Sequence, residues 1–394
     1  MTMDFSLPST AEEFAEEVRE FVAEHVTDEV VTRYLQTGTM HDWGLHRALA
    51  ARGWLAPTWP KSDGGQALSE IEAMVLLDQL HRAGAPLDGW IITMCGTSAI
   101  RALGSAQQRA EVVPQVVAGQ ALISLGFSEP DSGSDVAAAR TRAVRDGDEW
   151  IINGQKMFTT MAHEATWVLL LTRTDPSAAK HRGLTMFLVP LDSPGIVVEP
   201  VHTLGGERTN ITFYTDVRVP DAARVHELNK GWELLTLALT TERGSAFGAG
   251  SSFLGTMGRM LDGTLRWAAT ARRGGRPVLE EPTARRRLAK AKIDHEVSRL
   301  LNLRSVWLAG QDIVPDVEAS VAKLFSTEAL QRMTSDLLEL IGPEGLLNHH
   351  SPAAPSGGAM EHAFRHSTVT TIYGGSSEIM RNIISQRGLG LPRG

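Results

Sequence analysis

Three regimes of apolar spacing follow one another along the chain. Up to about residue 120 the period is helical: Phe14, Val18, Phe21 and Val22 recur three or four residues apart among acidic neighbours, which puts them on one face of an amphipathic helix. Thr10 with Glu13 has the spacing of a capping box and predicts the start of that helix. Breaks fall near Gly53, at Pro57, Trp59 and Pro60, at Gly64-Gly65 and at Gly84-Ala85-Pro86. From about 121 short β-rich runs take over at 150–152, 167–172, 184–189 and 211–214, with turns expected at Asp146-Gly147, Asn153-Gly154 and proline-containing segments. After Val219-Pro220-Asp221 the helical period returns and runs to the end, interrupted at Gly274-Gly275 and in a loop at 355–358. The pattern predicts a mainly α chain with a central β domain: a helical domain at 1–120, a middle β domain at 121–225 and a C-terminal helical domain at 226–394.

One helix breaks its own pattern. At 100° per residue Trp232, Leu235, Leu239, Glu242, Ala246 and Ala249 share a face, so Glu242 points where apolar side chains point. Burying an ionised carboxylate without a partner costs several kcal/mol, and Arg243, one residue on, faces elsewhere. A buried ion pair with a distant arginine explains this as well as a chemical role does. An apolar setting raises a glutamate pKa towards neutrality, which suits a general base. A second candidate is the Gly/Ser stretch containing Leu125, Phe127, Ser128, Gly133 and Ser134, whose backbone N–H groups can converge on an anion. Taken alone such a stretch is an ordinary turn.

Composition narrows the classes. The 394 residues are 42% hydrophobic, enough for a large core, and the formal net charge of −8 argues against nucleic acid or a polybasic membrane patch. A local cluster of Arg272, Arg273, Arg276, Arg285, Arg286 and Arg287 reads as the solvated face of a helix. With one cysteine, Cys95, no internal disulfide can form, which points to a reducing compartment. No run of eighteen apolar residues appears, so the chain reads as soluble and cytoplasmic. His349 and His350 adjoin without zinc-like spacing, and no metal site is expected.

Three separated motifs then speak together: GFSEPDSGSD with the later GQKMFTT, the helix ending TTERGSAFGAG, and IYGGSSEIMRN. In this order, over nearly the whole length, the chain resembles the acyl-CoA dehydrogenase family. The resemblance implies that family's fold, an N-terminal helical domain, a middle β-barrel and a C-terminal four-helix bundle. It also implies FAD as cofactor and α,β-dehydrogenation of an acyl-CoA thioester, with a proton leaving to a base and a hydride to flavin N5. Most members carry the base as Glu in the IY-x-G segment, where this chain has Gly374. Some branches use the Glu of a helical Glu-Arg pair instead, which matches Glu242-Arg243. Gly374 keeps the backbone N–H that holds the thioester oxygen in the family. By the same resemblance Leu125, Phe127, Ser128, Gly133, Ser134, Phe158, Thr160, Gly375, Ser376 and Glu378 contact the flavin. Phe158 and Thr160 stand in the K-M-W-x-T element, with Phe in place of Trp. Ser134, Arg243, Tyr373 and Gly374 fall on the substrate side.

Two elements depart from the family. Homotetrameric members complete a neighbour's flavin site with Arg-x-x-Phe-Gly and Gln-x-x-Gly-Gly-x-Gly. Here Ala271 and Gly274 occupy the Arg and Phe positions, with Arg272 or Arg273 as substitutes if the register shifts. Glu339 and Pro343 replace the Gln and the second Gly. A carboxylate repels a pyrophosphate and proline has no N–H to offer it. This half-loss resembles heteromeric α2β2 dehydrogenases acting on sterol side chains, which implies a second, unlike chain, although a homodimer or homotetramer stays open. Electron-transfer flavoprotein is the implied acceptor. Alternatives are a flavin monooxygenase of the same fold, an acyl-CoA oxidase and a non-catalytic subunit of a heteromeric dehydrogenase.

Overall fold

The computed structural model describes residue 3 and residues 5–244 and 249–392, with side chains left undescribed at 240–244 and 249–252. Six helices come first: α1 (Ser9–His25), α2 (Asp28–Thr37), α3 (Trp43–Ala51), α4 (Glu70–Ala83), α5 (Asp88–Leu103) and α6 (Ala106–Val117). Phe14, Val18 and Phe21 of α1 are buried, as their spacing predicts. The capping box does not form at Thr10. The helix begins at Ser9 behind Pro8, which has no side-chain oxygen to cap with, so Thr10 is already inside the first turn. Capping boxes stand instead on α4, between Ser69 and Glu72, and on α6, between Ser105 and Gln108.

Eight strands follow: β1 (Ile123–Gly126), β2 (Arg142–Asp146), β3 (Glu149–Lys156), β4 (Trp167–Arg173), β5 (Leu184–Pro190), β6 (Ile196–His202), β7 (Arg208–Pro220) and β8 (Arg224–Val225). They pair in the order β6-β7-β3-β2-β4-β5-β8, with β1 joining β4 in parallel. Strands β4 and β5 are buried over their first six residues and mostly apolar because both faces are covered. Val168, Leu170, Phe187 and Val189 share an inner core with Trp150, Tyr214 and Val217. Trp167, Leu169, Leu171, Met186 and Leu188 face the helical core that holds Leu76, Leu80 and Trp90. Asp146-Gly147 turns β2 into β3 as expected. Asn153-Gly154 does not turn the chain. It lies inside β3, where the pairing with β7 slips between Ile152 and Gly154. Gly154 sits at φ 150°, and a Cβ there would lie 2.6 Å from Thr141 Oγ1, so the glycine serves a bulge and a close approach.

The last third holds α7 (Gly231–Gly244), α8 (Ala249–Thr270), a two-stranded hairpin of β9 (Arg272–Arg273) and β10 (Arg276–Pro277), α9 (Pro282–Ala309), α10 (Asp316–Ile341), α11 (Ala359–Thr370) and α12 (Ser377–Ile383). Helices α8 to α11 share one core through Met257, Met260, Leu288, Leu330, Met333 and Met360. Helix α7 belongs elsewhere: Leu234, Leu235 and Ala238 are buried in the core shared by the first helices and β4–β5. The arginine cluster is not one helical face. Arg272, Arg273 and Arg276 lie on the hairpin, because Gly274-Gly275, both at positive φ, reverse the chain there, while Arg285, Arg286 and Arg287 are on α9. No helix among the described residues is long and apolar enough to cross a membrane.

Candidate active site

Strand β1 carries Leu125, paired with Leu169, and ends at Gly126, where the chain loops out through Phe127 and Ser128. The loop is folded around Glu129. Its N–H donates to Ser132 O at 2.8 Å, and Ser132 N–H donates back to Glu129 O at 3.0 Å. The Glu129 carboxylate accepts from Arg140 N at 2.7 Å, from Thr141 N at 2.9 Å and from Lys156 Nζ at 2.7 Å. Lys156 ends β3 with its side chain fully buried, and its ammonium also donates to Phe127 O at 3.2 Å. Burial pushes the Lys156 ammonium down to about 8, against the pull of Glu129. Burial alone would raise Glu129, but Lys156 and the two backbone donors hold it below the ordinary glutamate range. Met157 N–H closes the seam by donating to Ser128 O at 2.9 Å. Gly133 and Ser134 stand exposed at the rim.

Beyond this seam Phe158 sits in the left-handed region, φ 58°, with 58% of its surface exposed. A bulky residue held there, ring outward, is a strained position of the kind found at ligand clamps. The next residues fix it. Thr159 N–H donates to Asn210 O at 2.8 Å, Asn210 Nδ2 donates to Thr159 O at 3.0 Å, and Thr160 Oγ1 lies 3.0 Å from Thr209 Oγ1. Ser132 Oγ, in the folded loop, is buried with no hydrogen-bond partner among the described residues.

The IYGG segment is a tight loop between α11 and α12. Gly374 and Gly375 have φ of 62° and 95°, which favour glycine. Buried Lys323, from α10, donates to Thr370 O at 3.1 Å and to Gly375 O at 2.5 Å, so one ammonium pins both ends of the loop. Ser376 caps α12 by accepting from Ile379 N, and Ser377 Oγ is a second buried hydroxyl without a described partner. Glu378 is held below the ordinary range by hydrogen bonds from its own backbone N–H and from Ser376. Tyr373 is 40% exposed, its hydroxyl 3.4 Å from His366 Nε2 and its ring 6.1 Å from that of Phe253.

The start of β7 ties these parts together. Asn210 and Thr209 hold the segment at Phe158–Thr160 from one side. Glu207, just before the strand, accepts from His366 Nδ1 at 2.7 Å and lies 3.0 Å from His362 Nε2, both on α11. The structure thus brings Leu125, Phe127, Ser128, Phe158 and Thr160 into one locality and connects it to the Tyr373–Gly375 loop through four consecutive residues. Glu242 and Arg243 fall on α7, with their side chains outside the described residues. The face predicted to lead to them is inward: Leu235 is buried, and Trp232 and Leu239 pack on the same core.

Glu129, Lys156, Glu207, His362, His366, Lys323 and Asn210 escaped the sequence reading. Lys156 had a signal, being the first letter of the KMFTT element at the end of a β-rich run, and a lysine that folds inward there needs a partner. His366 and Glu207 are 159 residues apart and no local pattern connects them. At the two altered elements, Ala271 and Gly274 lie at the end of α8 and the hairpin tip. Arg273 is engaged with Leu340 O, Glu281 and the Trp267 ring. Glu339 is exposed beside Arg287 at 3.5 Å, and Pro343 opens a single helical turn. No cluster of three or more His, Cys, Asp or Glu suited to a metal occurs among the described residues.

Helical, β and helical units meet at a donor-lined loop, which defines a three-domain architecture. The family models for the N-terminal, middle and C-terminal domains of acyl-CoA dehydrogenase match residues 8–120, 124–217 and 229–389. Acyl-CoA dehydrogenase FadE26 of Mycobacterium tuberculosis is 35% identical, over 99% of each chain. Two solved structures cover all of this chain with TM-scores of 0.90. One is described as the Tcur3481-Tcur3483 steroid ACAD, at 33% identity, and the other as the ChsE4-ChsE5 complex from Mycobacterium tuberculosis, at 35%. The chain belongs to the acyl-CoA dehydrogenase family.

Proposed function

We propose that this acyl-CoA dehydrogenase removes a proton and a hydride from adjacent carbons of a bulky acyl-CoA thioester, with Glu242 as the base. The supporting observation is the junction at Glu207–Asn210, which links the Phe158–Thr160 segment to the glycine loop. The residues present fit a flavin: two buried hydroxyls, of Ser132 and Ser377, have no described partner, and Phe158 offers an exposed, conformationally fixed ring. Leu125, Phe127, Ser128, Gly133, Ser134, Phe158, Thr160, Gly375, Ser376 and Glu378 are the residues that would hold FAD. Bound there, FAD supplies the hydride acceptor for the β-hydrogen.

The chain itself supplies the rest. The backbone N–H of Gly374 polarises the thioester oxygen, which acidifies the α-carbon. Glu242 then takes the α-proton, a placement worth roughly 10²- to 10⁴-fold. Arg243 and Tyr373 orient the thioester, and Ser134 lies at its entrance. Replacing Glu with glycine at 374 frees volume beside the loop, which suits a branched or steroid-linked acyl chain. The relative described as a steroid ACAD favours the latter. Anaerobic mixing with such thioesters should bleach the flavin, and Glu242→Gln should abolish bleaching while flavin stays bound. Bleaching that persists in this variant overturns the assignment of the base.

We further infer an assembly with a second, unlike dehydrogenase chain, and an electron-transfer flavoprotein as the protein that takes the electrons away. Glu339, Pro343, Ala271 and Gly274 leave this chain poorly equipped to complete a neighbour's flavin site, and ChsE4-ChsE5 is a complex of two names. Flavin counted per chain, with and without the co-expressed partner, checks this. Full occupancy in a homotetramer rejects it.

A further inference from the structure

The cluster around Glu207 is built with more care than a surface contact needs. Glu207 is 6% exposed, and its carboxylate accepts from Thr203 Oγ1 at 2.8 Å as well as from α11. The turn before it is shaped to its size: a Cβ on Gly205 would lie 2.0 Å from Glu207 Oε2. All three domains meet around this cluster. Tyr34 of α2 places its hydroxyl 2.9 Å from His362 Nε2, Gly38 O accepts from Arg208 N at 2.8 Å, and Arg365 of α11 donates to Leu204 O at 2.8 Å. From the same helix His366 reaches in two directions, with Nδ1 to Glu207 and Nε2 to the hydroxyl of Tyr373. Tyr373 immediately precedes Gly374.

We propose that Glu207 and His366 are positioning residues: the carboxylate fixes the imidazole, and the imidazole fixes Tyr373 and thereby the angle at which the Gly374 N–H meets the substrate oxygen. This rests on the reading of Gly374 given above. The device couples the two halves of the site, because Glu207 lies two residues from Thr209 and three from Asn210, which hold Phe158–Thr160. A rigid-body shift of the middle domain is therefore transmitted to the substrate loop.

Several charges act on the pair. Burial opposes protonation of His366, but Glu207, and beyond it Asp88 of α5, raise its pKa above the ordinary histidine value. Burial pushes Asp88 itself up to about 6. On α11 His362 and Arg365 flank the pair, and Arg259 of α8 lies opposite Tyr34. As pH rises through the raised His366 value, the bond to Glu207 loses its charge assistance, which roughly halves such a bond. The loop then loosens on the alkaline side.

The experiment uses the flavin-loaded enzyme, with its partner chain where one is required, and the variants Glu207→Gln and His366→Gln. A misplacement of about 1 Å costs on the order of 10²-fold, so kcat should fall by about 10- to 100-fold while KM and flavin content stay near wild type. The alkaline decline in kcat should move to lower pH in Glu207→Gln and vanish in His366→Gln. Amide exchange over residues 371–377 should quicken in both variants and stay unchanged over 156–160. Variants that melt earlier but keep wild-type kcat, pH profile and loop exchange overturn the proposal. If the wild type bleaches with no thioester, the functional reading fails instead, and loop exchange still decides the role of Glu207 and His366.

Discussion

Two buried carboxylates organise this site, and they are neutralised differently. Glu129 is met by Lys156 and two backbone N–H groups from the same domain, all brought together by strand pairing. Glu207 is met by two histidines from another domain. In the first case the partner, although burial lowers its pKa to about 8, is still mostly protonated at pH 7. In the second, the partner is the residue type whose proton is exchanged there. The seam beneath Phe158 is thus a permanent fixture of the β domain, whereas the docking of the glycine loop depends on conditions.

The largest expected effect tests the permanence of the first region. Lys156→Met leaves Glu129 charged and unpaired inside the protein, and should cost about 3–5 kcal/mol in denaturant unfolding, with loss of flavin. Adding Glu129→Gln removes the orphaned charge and should recover part of the deficit. A double variant no better than the single one would mean that the seam does not depend on this pair.

The second test separates the regions by pH. The folded pKa of His366 is raised, so its contribution is fully present below the unfolded histidine value of about 6.5 and is lost as pH rises through the folded value. The folded pKa of Glu207 is depressed, since hydrogen bonds from His362 and His366 outweigh its burial. Its contribution is present above about 4.3 and is lost as pH falls through the folded value. Melting temperature should therefore decline between mildly acidic and alkaline pH, and His366→Gln should flatten that slope. Variants of the Glu129 seam should leave the slope in place below about pH 8 and alter it only above, where Lys156 itself titrates. The smallest effect concerns the exposed pair of Lys180 and Asp135 at the rim of the folded loop. Lys180→Ala should change stability by no more than about 1 kcal/mol, because solvent screens such pairs. A larger loss would mean that the rim is part of the seam.

The glycines and hydroxyls of both loops were legible because turn chemistry is local, as were the strands whose apolar runs are bounded by punctuation. Arg142–Asp146 and Ile196–His202 were not recognised as strands, since their outward residues are polar or exposed and their pairing supplies what propensity lacks. Asn153-Gly154 reads as a turn in any short window. Only the close approach of Thr141 makes it a bulge.

By itself the sequence determined the order helical, β, helical, the glycine at 374 and an acidic residue at 242 on an otherwise apolar helix face, because each is written in spacing or in a single residue's chemistry. Tertiary structure decided which charges neutralise one another. Glu129 finds Lys156 across a loop and a strand, Glu207 finds His366 across two domains, and Lys323 finds the carbonyls of Thr370 and Gly375. The reason is physical: the cost of burying a charge is set by whatever atoms lie within hydrogen-bond reach, and for groups scores of residues apart that distance exists only after the chain has folded.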